Sequence, residues 1–298
     1  MSPASNGSVT TAGRRRRTRL SPAFWLILPS VVFMLFLFAY PMVEGLRLAF
    51  VHGDAGAVSS VNWQRMVNDP QFGAAVRNTL LLIVVIIPLQ FVFALTMALL
   101  LQAKPKGSAV YFYLWAIPLA VSDLAAGLVW LSIFSDRGYL NSVLVDVGLQ
   151  PFSWLSYQSP ATQFLAVAVA EVWRATSLVL VIVVSGMQGI PKDYDEAAAV
   201  FGATYWQRLW QVTLPLLRPS LQVALILRTI LAFQTFAVAQ ALTGEGFPLL
   251  VGETYRWYTA LNNPNVASVY AMVIMVVSMM TAVIYLRVLR DQSRGGKK

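Results

Sequence analysis

The sequence predicts an all-α integral membrane protein with six transmembrane helices. Three observations carry this. Of its 298 residues, 57% are hydrophobic and only 12% charged, against about 25% charged in an ordinary soluble domain. Six apolar stretches each reach the roughly 20 helical residues that cross a hydrocarbon core. Basic residues concentrate in alternate connections, as they do on the cytoplasmic side of a membrane.

The spans are expected near Phe24–Val43, Asn78–Gln102, Ser108–Phe134, Ala161–Met187, Ser220–Leu242 and Ala267–Val288. Residues 1–22, rich in Ser, Thr, Gly and Arg, read as a disordered tail. The first span is about 20 residues long and lacks a small-residue cleavage site, so it reads as an anchor and not a signal peptide. It is expected to end at Tyr40-Pro41, with Glu44-Gly45 marking the exit. The loop Arg47–Arg77 carries Asn62-Trp63 and Asp69-Pro70, read as a short helix on the membrane surface. Pro88 in the second span is a tolerable kink. Lys104-Pro105-Lys106-Gly107 forms a tight turn. Ser135–Pro160 is a second loop on the side of Arg47–Arg77, with Asn141–Leu149 amphipathic, and Thr243–Asn265 is a third. One membrane domain, 23–290, is expected, with a hairpin insertion at 191–219 and a basic tail at 291–298.

The net charge of +9 raises the question of nucleic acid, and its distribution answers it. Arg14, Arg15, Arg16, Arg17, Arg19, Lys104, Lys106, Lys192, Arg208, Arg218, Arg287, Arg290, Arg294, Lys297 and Lys298 fall on one side of the span pattern. Only Arg47, Arg65, Arg77, Arg137 and Arg256 fall on the other. The excess is a topology signal that places both termini and the hairpin in the cytoplasm. With no cysteine there is no disulfide or thiolate metal site, and the lone His52 makes no metal cluster.

Between the fourth and fifth spans lies Tyr194–Pro219, YDEAAAVFGATYWQRLWQVTLPLLRP. Pro191 ends the preceding span. Asp193 is placed to cap a helix, with Glu196 three residues on as partner in a capping box. Ala197, Ala198, Ala199, Gly202 and Ala203 form a face almost free of side-chain bulk, open to close approach by another protein. Gly202 suits a turn, Thr204–Val212 a second helix, and Leu214-Pro215 with Pro219 a closing break.

Glu196-Ala197-Ala198, three residues, Gly202, nine residues, Val212, one residue and Leu214-Pro215 resemble the cytoplasmic EAA loop of permeases in binding-protein-dependent ATP-binding-cassette importers. Tyr40-Pro41, Asn62-Trp63, Asp69-Pro70, Asn78-Thr79, Ile117-Pro118, Glu171-Val172-Trp173, Gly186-Met187-Gln188 and Leu242-Thr243-Gly244 are similar to the maltose-type, carbohydrate-uptake class over about residues 24–290. The resemblance implies a type I importer permease fold and four kinds of neighbour: a second similar permease, two ATPase subunits, an extracytoplasmic solute-binding protein and the lipid of a bacterial-type inner membrane. It implies that Glu196, Ala197, Ala198, Gly202, Ala203, Leu214 and Pro215 serve the ATPase contact, with ATP and Mg held on the partner and no cofactor on this chain. Phe201 stands where the family has aspartate, and Thr243-Gly244-Glu245-Gly246-Phe247-Pro248 departs from the usual Thr-Gly-Gly-Gly-Pro.

Asp123, Glu171, Arg174 and Arg228 fall within apolar stretches, where each charge costs about 2.5–3.5 kcal/mol at a helix centre. They must face protein or a wet cavity, and their signs balance. Two readings stay open: a structural set of ion pairs, or part of a substrate path. By the resemblance, Glu171, Arg174 and Ala175 fall at path-lining positions, with Gln234 and Thr235 on the fifth span as further candidates. No G-x-x-x-x-G-K-[ST] phosphate loop occurs, and no metal motif or nucleophile elbow supports an enzyme. The function expected is a sugar permease worked by a partner ATPase. A glycerol-3-phosphate permease of the same class and an ion-coupled transporter using Asp123 and Glu171 are the alternatives.

Overall fold

The structure, a computed structural model, describes residues 22–52 and 57–294. The N-terminal tail up to residue 21 and the last residues of the basic tail, 295–298, lie outside the described residues. The chain divides into two units, Met1–Gly45 and Leu46–Lys298.

The first unit holds α1 (Pro22–Met34), a π-turn at Leu35–Ala39 and the start of α2 (Tyr40–Phe50). Tyr40-Pro41 therefore does not end this helix, which continues to Phe50. The Tyr40 amide reaches back five residues to the Leu35 carbonyl. A proline lacks the amide proton and crowds the carbonyl four residues back, and the widened turn just before Pro41 relieves both problems.

In the second unit the end of α2 leads into a two-stranded antiparallel ribbon, β1 (Val51–His52) on β2 (Ala57–Val58), which the sequence reading does not anticipate. α3 (Val61–Val67) follows, and its fully buried Asn62 donates to the Val51 carbonyl at 2.8 Å. The long helices are α4 (Phe72–Gln102), which passes Pro88 unbroken, α8 (Pro160–Gln188), α11 (Leu214–Phe233) and α14 (Pro264–Arg294). α8 is central, packing against α4, α5, α6, α11 and α12. Its buried face carries Ala166, Val167, Ala170, Val179, Leu180 and Val183, small and branched residues that let neighbouring helices close in.

Two expected spans are broken. The third becomes α5 (Ser108–Ala120) and α6 (Asp123–Phe134), with a bend of 103° at Val121-Ser122 between α5 and the stretch Asp123–Asp146. Pro118 closes the last turn of α5, and the Ser122 hydroxyl caps α6 by accepting from the Ala125 amide at 3.2 Å. The fifth stops at Phe233 and resumes after Gln234-Thr235-Phe236 as α12 (Ala237–Thr243). The two short pieces pair with each other. Gly127 permits this, because a β-carbon there would sit 2.6 Å from that of Ala241. Backbone broken at membrane depth is tolerated when it is enclosed by protein or lines a cavity.

On the same end of the bundle, α7 (Tyr139–Asp146) occupies the second loop and α13 (Leu250–Thr259) the third. Among the described residues, five helices are long and apolar enough to cross a membrane, or six if the bent α5–α6 pair counts as one.

Candidate functional site

The hairpin projects from the far end of α8. α9 (Asp193–Val200) has no buried residue. It closes with Gly202 in the left-handed region at φ +80°. The Gly202 amide donates to Ala199 at 2.9 Å and the Ala203 amide to Ala198 at 3.0 Å, the paired bonds of a Schellman stop. No atom lies within 4 Å of where a Gly202 β-carbon would stand, so glycine is needed there for its backbone and not for packing room. Glu196 and Ala197 are exposed, while Ala198 and Ala203 are half-buried.

The capping box expected at Asp193 and Glu196 is absent. Asp193 is already helical and Lys192 precedes it without a side-chain cap, which frees the Glu196 carboxylate. The box stands one helix later, at α10 (Tyr205–Arg208): the Thr204 amide donates to Gln207 Oε1 at 2.8 Å, and the Thr204 hydroxyl accepts from the Gln207 amide. Arg208 Nη1 donates to Asp195 Oδ2 at 2.7 Å and ties the two arms. With Asp195 half-exposed, solvent screening keeps that pair to about 1 kcal/mol.

Nor does Leu214-Pro215 break the chain. A π-turn at Leu209–Thr213, with the Leu214 amide donating to Leu209, carries α10 directly into α11 past Pro215 and Pro219. The device is the one found before Pro41. The second arm of the hairpin and the following span form one continuous helical run, Tyr205–Phe233. Below it, Gly186 on α8 lies so close to α11 that an added β-carbon would sit 2.5 Å from that of Ser220.

The intramembrane charges come together as one chain. Arg174 Nη1 donates to Asp123 Oδ1 at 2.7 Å and Nη2 to Glu171 Oε2 at 3.2 Å. Arg228 Nη2 donates to the same Glu171 oxygen at 3.1 Å, both side chains being 1% exposed. Gln90 on α4 completes it, accepting from Arg228 Nε at 2.7 Å and donating to the Glu171 carbonyl at 3.0 Å. Sequence reasoning missed Gln90, although a lone amide in an apolar run was a visible signal. Asp123 is the half-exposed end of the chain, at the α5–α6 break.

The other path candidates make no bond to these charges among the described residues. Ala175 is buried. Gln234 is exposed and Thr235 buried at the α11–α12 break, the Thr235 hydroxyl having no protein partner. Trp173 meets Trp130 edge-on at 6.0 Å, and Trp130 stacks on Phe134 at 5.4 Å.

A second polar knot, also unread from sequence beyond Asp69-Pro70, locks the other end of the bundle. Asp69 Oδ2 accepts from Arg256 Nη2 and Trp257 Nε1, each at 2.6 Å, and from the Tyr270 hydroxyl at 3.2 Å. Arg256 also pairs with buried Glu253 at 2.6 Å. Burial pushes the Glu253 carboxyl up despite Arg256, and nearby Asp69 adds to the rise.

The sequence matches the model of binding-protein-dependent transport system inner membrane components over residues 12–294. It is 31% identical over 248 residues to a trehalose/maltose transport system permease protein, MalF, of Thermococcus litoralis, covering 81% of this chain and 82% of that one. It is 30% identical to a sulfoquinovosyl glycerol transport system permease protein, SmoG, of Agrobacterium fabrum, covering 91% of each. In fold it matches a chain of a bacterial ABC transporter involved in import of the acidic polysaccharide alginate. There the TM-score is 0.76 at 19% identity, over 90% of this chain and 95% of that one. The chain thus belongs to the family of binding-protein-dependent transport system inner membrane components.

Proposed function

We propose that the protein is the sugar-conducting permease subunit of an ATP-driven importer, working by alternating access with hydrolysis on separate ATPase chains. The observation that carries this is the exposed α9–α10 hairpin, whose second arm is continuous with α11. A push or pull at Glu196–Ala203 passes to the second arm through the Asp195–Arg208 pair and then along one continuous helical run to Arg228 and the buried charges. The names of the relatives, a trehalose/maltose and a sulfoquinovosyl glycerol permease, support a sugar or glycoside as cargo. The positive-inside pattern puts the hairpin and both termini in the cytoplasm of a bacterial-type inner membrane. A second permease, two ATPases holding ATP and Mg, and a solute-binding protein complete the assembly. Asp123 and Arg174, the exposed end of the charge chain, border the path, while Glu171 and Arg228 hold its wall.

Glu196→Lys and Gly202→Asp test this in proteoliposomes carrying the full assembly. Both positions are exposed, and although the left-handed backbone at Gly202 strains any side chain there, aspartate is among the residues that tolerate it best, so the variants should insert and assemble. ATP hydrolysis should then proceed without sugar uptake, or fail to respond to the binding protein. Full ATP-driven uptake by both variants refutes the coupling role. Uptake that survives ATP removal but collapses with the proton gradient favours an ion-coupled carrier.

A further inference from the structure

A cavity of about 570 Å³ opens at the end of the bundle opposite the hairpin. It lies by the start of α8, some 40 Å from the helix's hairpin end at 1.5 Å per residue. Its size is that of a small-molecule site, about 300–1,000 Å³. Ser135, Asp136, Ser153, Ser156, Tyr157 and Thr243 surround it, contributed by three separate connections. Among them are hydroxyls that both donate and accept, one carboxylate that accepts, and one exposed phenol ring with an apolar face, with Leu155 adding a further apolar surface.

Gln163 sets this apart from an ordinary polar groove. It borders the cavity yet is 1% exposed. Its Nε2 donates to the Leu155 carbonyl at 3.0 Å, which fixes the orientation of the amide. Its Oε1 is then a buried acceptor with no protein donor. A buried unsatisfied acceptor costs about 1–3 kcal/mol, so the position calls for a donor from outside the chain. Gly246 presses on the same amide, a β-carbon there falling 2.9 Å from Nε2, so the backbone of the third loop helps hold Gln163 in place. The wall is braced from behind by Trp154, whose indole donates to Asn141 Oδ1 at 3.2 Å.

We propose that this cavity is a saccharide site, a station where a neutral sugar unit contacts the permease before it enters the bundle. Sugar hydroxyls match Asp136 and the serines, the Tyr157 ring offers a stacking face, and Gln163 Oε1, enclosed in this structure, takes the donor it lacks once the third loop yields around a bound sugar. The proposal rests on the sugar-importer reading.

Because the chain has no cysteine, Ser153→Cys gives it a single thiol. The permease–ATPase complex is reconstituted and labelled with a membrane-impermeant maleimide, first without and then with binding protein, with trehalose, maltose or, as osmotic control, betaine present. At least one of the two sugars should halve the labelling rate or better while betaine does not, and Gln64→Cys outside this cavity should be unaffected. Protection should disappear when Gln163→Leu is added, and weaken with Asp136→Asn, which leaves the Leu155 bond intact. Unchanged labelling with both sugars, in vesicles that import them on ATP, overturns the saccharide site and leaves the importer standing. Protection by the binding protein regardless of sugar also overturns it, making the cavity a protein-docking surface. Uptake measured in the same vesicles separates these from a failure of the importer reading, in which ATP drives no sugar entry at all.

Discussion

Removing charges from the buried chain one at a time, and then together, gives the sharpest test of how the bundle is held. In Arg228→Met, Glu171 keeps Arg174 at 3.2 Å, so the carboxylate is still paired. The loss is the Arg228 bonds to Glu171 and Gln90, and it should fall below the 3–5 kcal/mol expected when a buried charge loses its partner, at about 2–3 kcal/mol. Glu171→Leu is worse. Arg228, 1% exposed, keeps only the neutral Gln90 oxygen, and the full ~3–5 kcal/mol applies. The double variant removes both charges and leaves Arg174 on Asp123 at 2.7 Å. Replacing a buried pair with apolar side chains is often close to neutral, so the double should be more stable than Glu171→Leu alone. The coupling across the cycle is then at least about 2 kcal/mol, well above the 0.3–0.5 kcal/mol scatter of independent sites. The assay is unfolding of the purified complex in nanodiscs by heat or by denaturing detergent. If the double variant is as unstable as the two losses added, the charges do not act as a pair, and the reading of α4, α8 and α11 as joined through them is wrong.

Two further outcomes follow from close packing and from burial. Gly186→Ala places a β-carbon 2.5 Å from that of Ser220 and should cost about 1–3 kcal/mol by overpacking. Gly186→Ala should cost less in a Ser220→Gly background than in the natural chain in the same melts, because the glycine removes the Ser220 clash while its own helix cost cancels in the comparison, and a neutral Gly186→Ala would remove the claimed close approach of α8 and α11. At the opposite end, the folded Glu253 carboxyl titrates above its ordinary 4.5. Its contribution is therefore full below that value and is lost as pH rises through the raised one. The melting temperature of Glu253→Gln minus that of the natural protein should grow with pH across this window. A constant or falling difference contradicts the burial argument.

Much of the site was legible because its signals are local. The small-residue run Ala197–Ala199 and the left-handed Gly202 are backbone requirements that three or four neighbours impose. The sign balance of Asp123, Glu171, Arg174 and Arg228 followed from the cost of charge in hydrocarbon. What misled was also local. Proline was read as an interruption at Pro41 and Pro215, but a π-turn before each lets the helix pass. Where the third and fifth spans do break, the cause is long-range. α6 and α12 pair through Gly127, and no window of one span carries that information.

Composition and spacing by themselves determined that this is a multi-span helical protein and where its hairpin lies, because hydrophobicity and backbone stereochemistry are properties of short segments. Tertiary structure alone decided which oxygen each arginine meets, that Gln90 joins them, and that Gln163 is left with a spare acceptor. Such pairings depend on helices many residues apart arriving at one place, which partner choice in three dimensions settles and chain order does not.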